Sequence, residues 1–337
     1  VLAVLFSCFC VLASFGIGNM SQTNSISGNM ESAFGIPTYA TGIFLVILSA
    51  VVILGGLKRV AIVTEKVVPF MAIMYIVGAL AVCIAHINMF GAVFAAIFKG
   101  AFGLKAVGGG ILGYGIRLAI TWGFKRGAFS NEAGLGSSVM VHSNSNVKEP
   151  VKQGMWGIFE VFADTIVVCS LTAFVILSSG LVDLETGKMI SANAGSGLVG
   201  EAFATVFGGL GPKFIALAIL LFAYSTVLGW SHYGAKAFEF LFGIKAMSVY
   251  KIVFIIMIFF GCTMSLDLAW ELSDTFNGLM MIPNLIGVLS LSGTVGKITA
   301  NYVRRTFKDS EETPMYSAFP DIQKEQTEQS QTEIPCA

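Results

Sequence analysis

Long apolar runs separated by short polar ones set the pattern of this chain. A bilayer core about 30 Å thick needs roughly 20 apolar residues of helix. Segments of that kind recur at 1–21, 37–56, 67–87, 107–123, 154–177, 213–240, 249–264 and 275–291. The pattern predicts an all-α polytopic membrane protein with about eight transmembrane helices. Residues 89–102 are amphipathic and carry Lys99, so they are expected to lie on the membrane surface. From Gly296 onward the chain turns polar, and 308–330 is rich in Glu, Gln, Lys, Ser and Thr. This divides the sequence into a transmembrane domain, 1–296, and a tail, 297–337, expected to be disordered.

One apolar run ends abruptly. After residue 122 comes GFKRGAFSNEAGLGSS, residues 123–138, with four glycines, one acid and two bases. Lipid cannot hydrogen-bond such a backbone, so at membrane depth it must line a cavity or be buried in protein. Interruptions of this kind mark the binding region of transporters. A cytoplasmic loop that begins early accounts for the spacing equally well.

Composition sharpens the class. The 337 residues are 55% hydrophobic and 12% charged, with a mean hydropathy of +0.80. Soluble domains are roughly 25% charged. Net charge is zero, so there is no nucleic-acid footprint. Five of the six cysteines sit inside apolar runs and none forms a CxxC pair, which suits packing rather than disulfides or metal. Val1 stands in the middle of an apolar run without a basic flank. The chain reads as a fragment lacking its beginning rather than as one opening on a signal peptide.

Basic residues orient the spans. With Val1 on the cytoplasmic side, fourteen lysines and arginines fall inside, among them Lys58, Arg59, Lys125, Arg126, Lys236 and Lys251. Only Lys99, Lys105, Lys188 and Lys213 fall outside, where the loops carry Asp183, Glu185, Glu201, Asp267, Glu271 and Asp274. Both termini are then cytoplasmic.

Polar residues inside the spans are the candidates for chemistry. Asn19 and Gln22, three apart, are expected to share a helix face beside Gly16 and Gly18. Their amides either bind a polar solute or hydrogen-bond between helices. Ser225 and Thr226 are adjacent hydroxyls midway along a span. They either ligate an alkali cation, which takes oxygen ligands, or bond back to their own helix. Trp230, one turn on, is placed to wall a small pocket. Arg117 and Asp164 are ionisable mid-span residues, and pairing them would neutralise both. Ser130 is placed to cap a short helix whose first turn holds Glu132. Neither HExxH nor GxSxG occurs, and His142 and His232 lack partners at metal-ligand spacing, so no catalytic site is visible.

The blocks GAFSNEAGLGS (127–137), PVKQG (150–154), Asp164-Thr165 and CSLTA (169–173) resemble the alanine/glycine:cation symporter family, as do GNMSQTN (18–24) and KVVP (66–69). The similarity runs in order through nearly all of 1–296. It implies a sodium-coupled, sometimes proton-coupled, symporter for alanine, glycine or a related small neutral amino acid in the cell membrane. No cofactor is implied beyond Na⁺ as coupling ion. The fold implied is of the leucine-transporter type, two inverted five-helix repeats with the site at their interface. The eight spans would be core helices three to ten, with the first two core helices missing. On that mapping Ser225 and Thr226 supply a sodium site. Asn19, Gln22 and the span before Gly123 line the solute, and Trp230 limits its size. The break in the fourth span falls either at Gly108–Gly110 or near Gly123. The alternatives are a passive amino-acid or ion pore and a truncated, non-transporting remnant.

Overall fold

The computed structural model describes residues 1–102, 111–308 and 310–332. Among them there is no strand, only an isolated bridge between Val182 and Met189; the rest of the regular structure is helical. The first helix is longer than its apolar run. It comprises α1 (Leu2–Phe15), a π-helical segment (Gly16–Met20) and α2 (Ser21–Phe34). The polar second half continues the helix because its side chains find buried partners, described below. It ends at Gly35, whose left-handed backbone (φ 70°) lets its N–H reach the Glu31 carbonyl.

Pro37 then opens α3 (Thr38–Ile53), and the Gly55-Gly56 turn leads to α4 (Leu57–Ala85). Next come α5 (Phe90–Phe102), α6 (Ile111–Asn131) and the one-turn α7 (Val139–His142). A continuous rod follows, made of α8 (Pro150–Val161), a second π segment (Phe162–Cys169) and α9 (Ser170–Ser178). Helix α10 (Ser196–Phe207) folds back on α11 (Leu210–Phe242). Gly211 permits this, since a Cβ there would stand 2.4 Å from the Ala204 nitrogen. The bundle closes with α12 (Met247–Thr263) and α13 (Leu266–Phe307), and α14 (Pro320–Thr332) lies in the tail.

Six of these helices are long and apolar enough to cross a bilayer: 2–34, 58–85, 150–178, 210–242, 244–263 and 266–307. With the apolar residues that face outward, such as Phe70, Ile73 and Ile84 on α4, this makes the chain a multi-pass membrane protein. The expected span at 37–56 is a shorter helix, α3, and part of the expected span at 107–123 lies outside the described residues, including Gly108–Gly110. Helix α13 absorbs both the loop expected after residue 264 and the boundary expected at 296. The tail beyond it docks through Asn301, whose Nδ2 donates to Glu312 Oε2 (3.0 Å) and to the Thr313 carbonyl (3.1 Å). Composition alone had left 308–330 without structure.

Helix α11 is the hub. It packs against α1, α2, α4, α10 and α12. Its residues enter all three apolar clusters: Tyr224 with α3 and α12, Ile215 with α4, α9 and α10, and Trp230 with α1 and α13.

Candidate solute and sodium site

Between α6 and α7 the helix stops. Gly134 (φ 81°) and Gly136 (φ 85°) carry left-handed backbone, and so does Glu132 (φ 55°), a conformation uncommon outside glycine. The middle of the loop is buried although Ala133 is exposed. Leu135 and Ser137 are fully buried, and Leu135 packs with Cys10, Ile17, Trp230 and Met280. Asn284, halfway along α13, donates to the Gly134 carbonyl at 2.9 Å. Helix α6 runs unbroken through Gly123 and ends at Asn131, so among the described residues the interruption lies at 132–138, inside the motif, while the position Gly108–Gly110 lies outside them.

Glu132 anchors the loop. Its Oε2 accepts from Ser137 Oγ at 2.6 Å, and the Trp230 side chain lies beside the same carboxylate. Ser130 does not cap the short helix that follows. It donates instead to Asp164 Oδ2 at 2.5 Å, while Asn131 Nδ2 reaches Thr165 Oγ1 at 3.3 Å. The end of α6 is thus tied to the second π segment. This overturns the expected pair: among the described residues Arg117 makes no ion pair with Asp164, and Arg117 is exposed. Hydroxyl donors satisfy Asp164 locally.

Facing the loop is the first π segment. Asn19 is fully buried; its Nδ2 donates to the Phe254 carbonyl at 2.7 Å, and its Oδ1 has no partner. Gly18 lies directly against Trp230, where a Cβ would come within 2.2 Å of the Trp230 Cβ. Trp230, 1% exposed, therefore bridges the π segment and the broken loop. Gln22 does not share Asn19's environment. Its Nε2 folds back onto the Ile17 carbonyl (3.0 Å), which also accepts from Ser21 Oγ. A π turn widens the helix and releases carbonyls from the regular ladder, so the sequence spacing of three did not place the two amides together. Gly123 is also outside the cluster, exposed and with nothing within 4 Å of a Cβ built on it.

Ser225 and Thr226 both donate to the Phe222 carbonyl, at 2.8 and 3.1 Å. Back-bonding and cation binding are compatible here. Each hydroxyl proton is turned into the helix, and each oxygen keeps lone pairs free to accept or ligate. Ser225 faces α4, with its Oγ 3.7 Å from Met71 Sδ.

Spacing gave no notice of two functional contacts. Asn24 Nδ2 bridges the carbonyls of Gly261 (3.2 Å) and Met264 (2.7 Å), clamping α2 to the end of α12. Asn284 holds the loop. As an amide beside Pro283 within a predicted span, Asn284 carried a usable signal, because buried amides in spans need partners.

The mouth of the cluster corrects the charge reading. Arg126 Nη2 contacts Asp274 Oδ2 at 2.8 Å, and Lys125 Nζ lies 3.4 Å from the same oxygen. The Arg126 guanidinium stacks 4.4 Å from the Trp270 ring centre. Trp270 lines a cavity with Asn24, Ser25 and Asn193 of the loop before α10. Lys125 and Arg126 thus sit at the end that carries Asp274, not at the end opposite it. A half-buried carboxylate beside an aromatic-flanked guanidinium satisfies both charges there.

Comparison with known proteins identifies the family. A model of the sodium:alanine symporter family matches residues 1–317. The sodium/alanine symporter AgcS of Methanococcus maripaludis is 42% identical over 295 residues, covering 88% of this chain and 63% of that protein. The amino-acid carrier protein AlsT of Bacillus subtilis is 37% identical over 297 residues, covering 88% and 61%. The sodium/proton-dependent alanine carrier protein of Bacillus sp. PS3 is 36% identical over 282 residues, covering 80% and 62%. The chain thus spans about three fifths of the length of these relatives. On the match over residues 1–317, carrying the broken-helix motif and the helices around it, this chain belongs to the sodium:alanine symporter family.

Proposed function

We propose that the chain serves sodium-coupled symport of alanine, glycine or a similar small neutral amino acid by alternating access. The observation that carries this is the snapped helix at 132–138, wedged between Trp230 and Asn284. Backbone amides and carbonyls released by a broken helix are the means by which transporters hold a small zwitterion and its ion. The fold proposed is of the leucine-transporter type, with both termini cytoplasmic and the protein in the cell membrane.

In this reading Na⁺ is bound by the free lone pairs of Ser225 and Thr226, a hard cation on neutral oxygens. The unpartnered Oδ1 of Asn19 accepts from the substrate ammonium. Trp230, pinned by Gly18 on one side and Glu132 on the other, sets the size limit. Ser130, Asp164 and Glu132 are positioning residues that hold the loop. Ion and solute then each raise the other's affinity by the same factor.

The test is alanine uptake into vesicles holding the reconstituted chain, with and without an inward sodium gradient. Uptake that accumulates alanine and stops when the gradient is dissipated supports the reading. Flux indifferent to sodium overturns it.

A further inference from the structure

Beyond Trp230 on α11, a cavity of about 230 Å³ that Trp230 does not line opens between the α3–α4 turn, α11 and α12. Its apolar wall includes Ile53 and Val60; its polar wall is His232, Lys236 and Lys251. His232 Nε2 is buried without a hydrogen-bond partner. Lys251 makes no ion pair among the described residues, and Lys236 is held only by Glu239 at 2.9 Å on its own helix. Ser231, also on the lining, spends its proton on the Leu228 carbonyl at 2.7 Å. Gly56 brings the start of α4 to the rim, where the first amides of a helix have no intrahelical acceptor.

We propose that this cavity binds the phosphate of an anionic phospholipid headgroup. Two lysines, one with no anionic partner, and an imidazole nitrogen lacking its hydrogen bond require an acceptor-rich anion. A phosphate diester offers several oxygens and one negative charge to such a set. The source is a lipid because the elements that line the cavity also expose apolar side chains. Leu54, next to Ile53, and Phe242, Ile244 and Val249, where α11 leads into α12, are 57%, 64%, 68% and 60% exposed, which suits acyl chains near the charged pocket. Lys58, Arg59 and Lys245 flank it in sequence, and the orientation proposed above puts them on the cytoplasmic side, where basic pockets between helices recognise anionic headgroups. The inference does not depend on what the chain transports.

The experiment is thermal unfolding of the purified full chain in neutral detergent, titrated with phosphatidylglycerol, phosphatidylcholine or inorganic phosphate. Phosphatidylglycerol raises the unfolding midpoint saturably, and phosphatidylcholine does not. Changing Lys236→Gln and Lys251→Gln together raises the half-saturating concentration at least roughly tenfold, about the cost of one lost charge-assisted contact. Lys236→Arg with Lys251→Arg retains the response, and so does Lys188→Gln in the loop before α10. Should the double glutamine variant fail to fold, Lys251→Gln alone serves, because it breaks no ion pair in the structure. An equal response to the two lipids, or an undiminished response in the glutamine variants, overturns the proposal. A matching shift from inorganic phosphate at the same concentration assigns the pocket to free phosphate and overturns the lipid.

Discussion

The Asn284 side-chain amide donates to the main-chain carbonyl of Gly134 across 2.9 Å, joining the middle of α13 to the broken segment between α6 and α7. Gly136 meets the same side chain from the other side, with a Cβ position 2.5 Å from Asn284 Oδ1. Gly136→Ala is therefore expected to lower stability by about 1–3 kcal/mol, through both left-handed backbone strain and the clash. Asn284→Ala leaves a part-buried carbonyl without its side-chain donor and costs about 1 kcal/mol. Chemical unfolding in detergent measures both. Unchanged midpoints would show that the loop is not held in this way.

Replacing Ser225 and Thr226 with alanine tests the cation site. Both hydroxyls donate within their own helical turn, and the one tertiary contact, Ser225 Oγ to Met71 Sδ at 3.7 Å, is weak, so the double variant is expected to fold with little loss. The sodium concentration for half-maximal alanine uptake is expected to rise roughly tenfold or more, the cost of about one ligand. An unaltered sodium dependence removes both residues from the site.

Two glycines separate a packed helix face from an exposed one. Gly18→Ala drives a methyl into Trp230, which is expected to cost about 1–3 kcal/mol of overpacking and to abolish uptake by displacing the indole. Gly123→Ala meets nothing within 4 Å. It is expected to leave uptake intact and stability within about 1 kcal/mol, with a slight gain from helix propensity. Paired uptake and unfolding assays distinguish them, and loss of uptake in the Gly123 variant would return that residue to the site.

The Arg126–Asp274 contact is expected to resist conservative exchange. Lysine keeps the charge but not the planar stacking on Trp270 that arginine makes. Arg126→Lys should therefore lose a large part of what Arg126→Ala loses in uptake. Uptake equal to that of the unaltered chain would show that charge alone matters there.

Glu149 sets an acid limit on one contact. Burial by itself would raise its pKa, but hydrogen bonds from Arg305 and Lys152 outweigh burial and hold it below the ordinary 4.5. A carboxylate whose folded pKa is depressed contributes stability above its unfolded pKa and loses it as pH falls through the folded one. The difference in unfolding midpoint between the unaltered chain and Glu149→Gln should be constant near neutrality and shrink below about pH 4.5. A difference independent of pH from 7 to 3 would show that the ion pair contributes nothing.

Sequence alone determined the membrane class and the order of the helices, and it marked 123–138 as a candidate interruption. Those properties are local: a bilayer demands a fixed length of apolar helix, and an unpaired glycine-rich backbone stands out from it. It did not determine which residues of that region break. Helix α6 holds through Asn131, and the chain turns left-handed only from Glu132, where Ser137 and Asn284 hydrogen-bond the loop. Nor did it separate Asn19 from Gln22, because a π turn changes which residues share a face. It set Arg126 and Asp274 on opposite sides because loop charges were counted without knowing which of them touch. Each of these was decided by partners distant in sequence, 150 residues apart for Asn284 and Gly134. Buried polar groups settle where the folded chain brings them an acceptor, and helical periodicity carries no record of that.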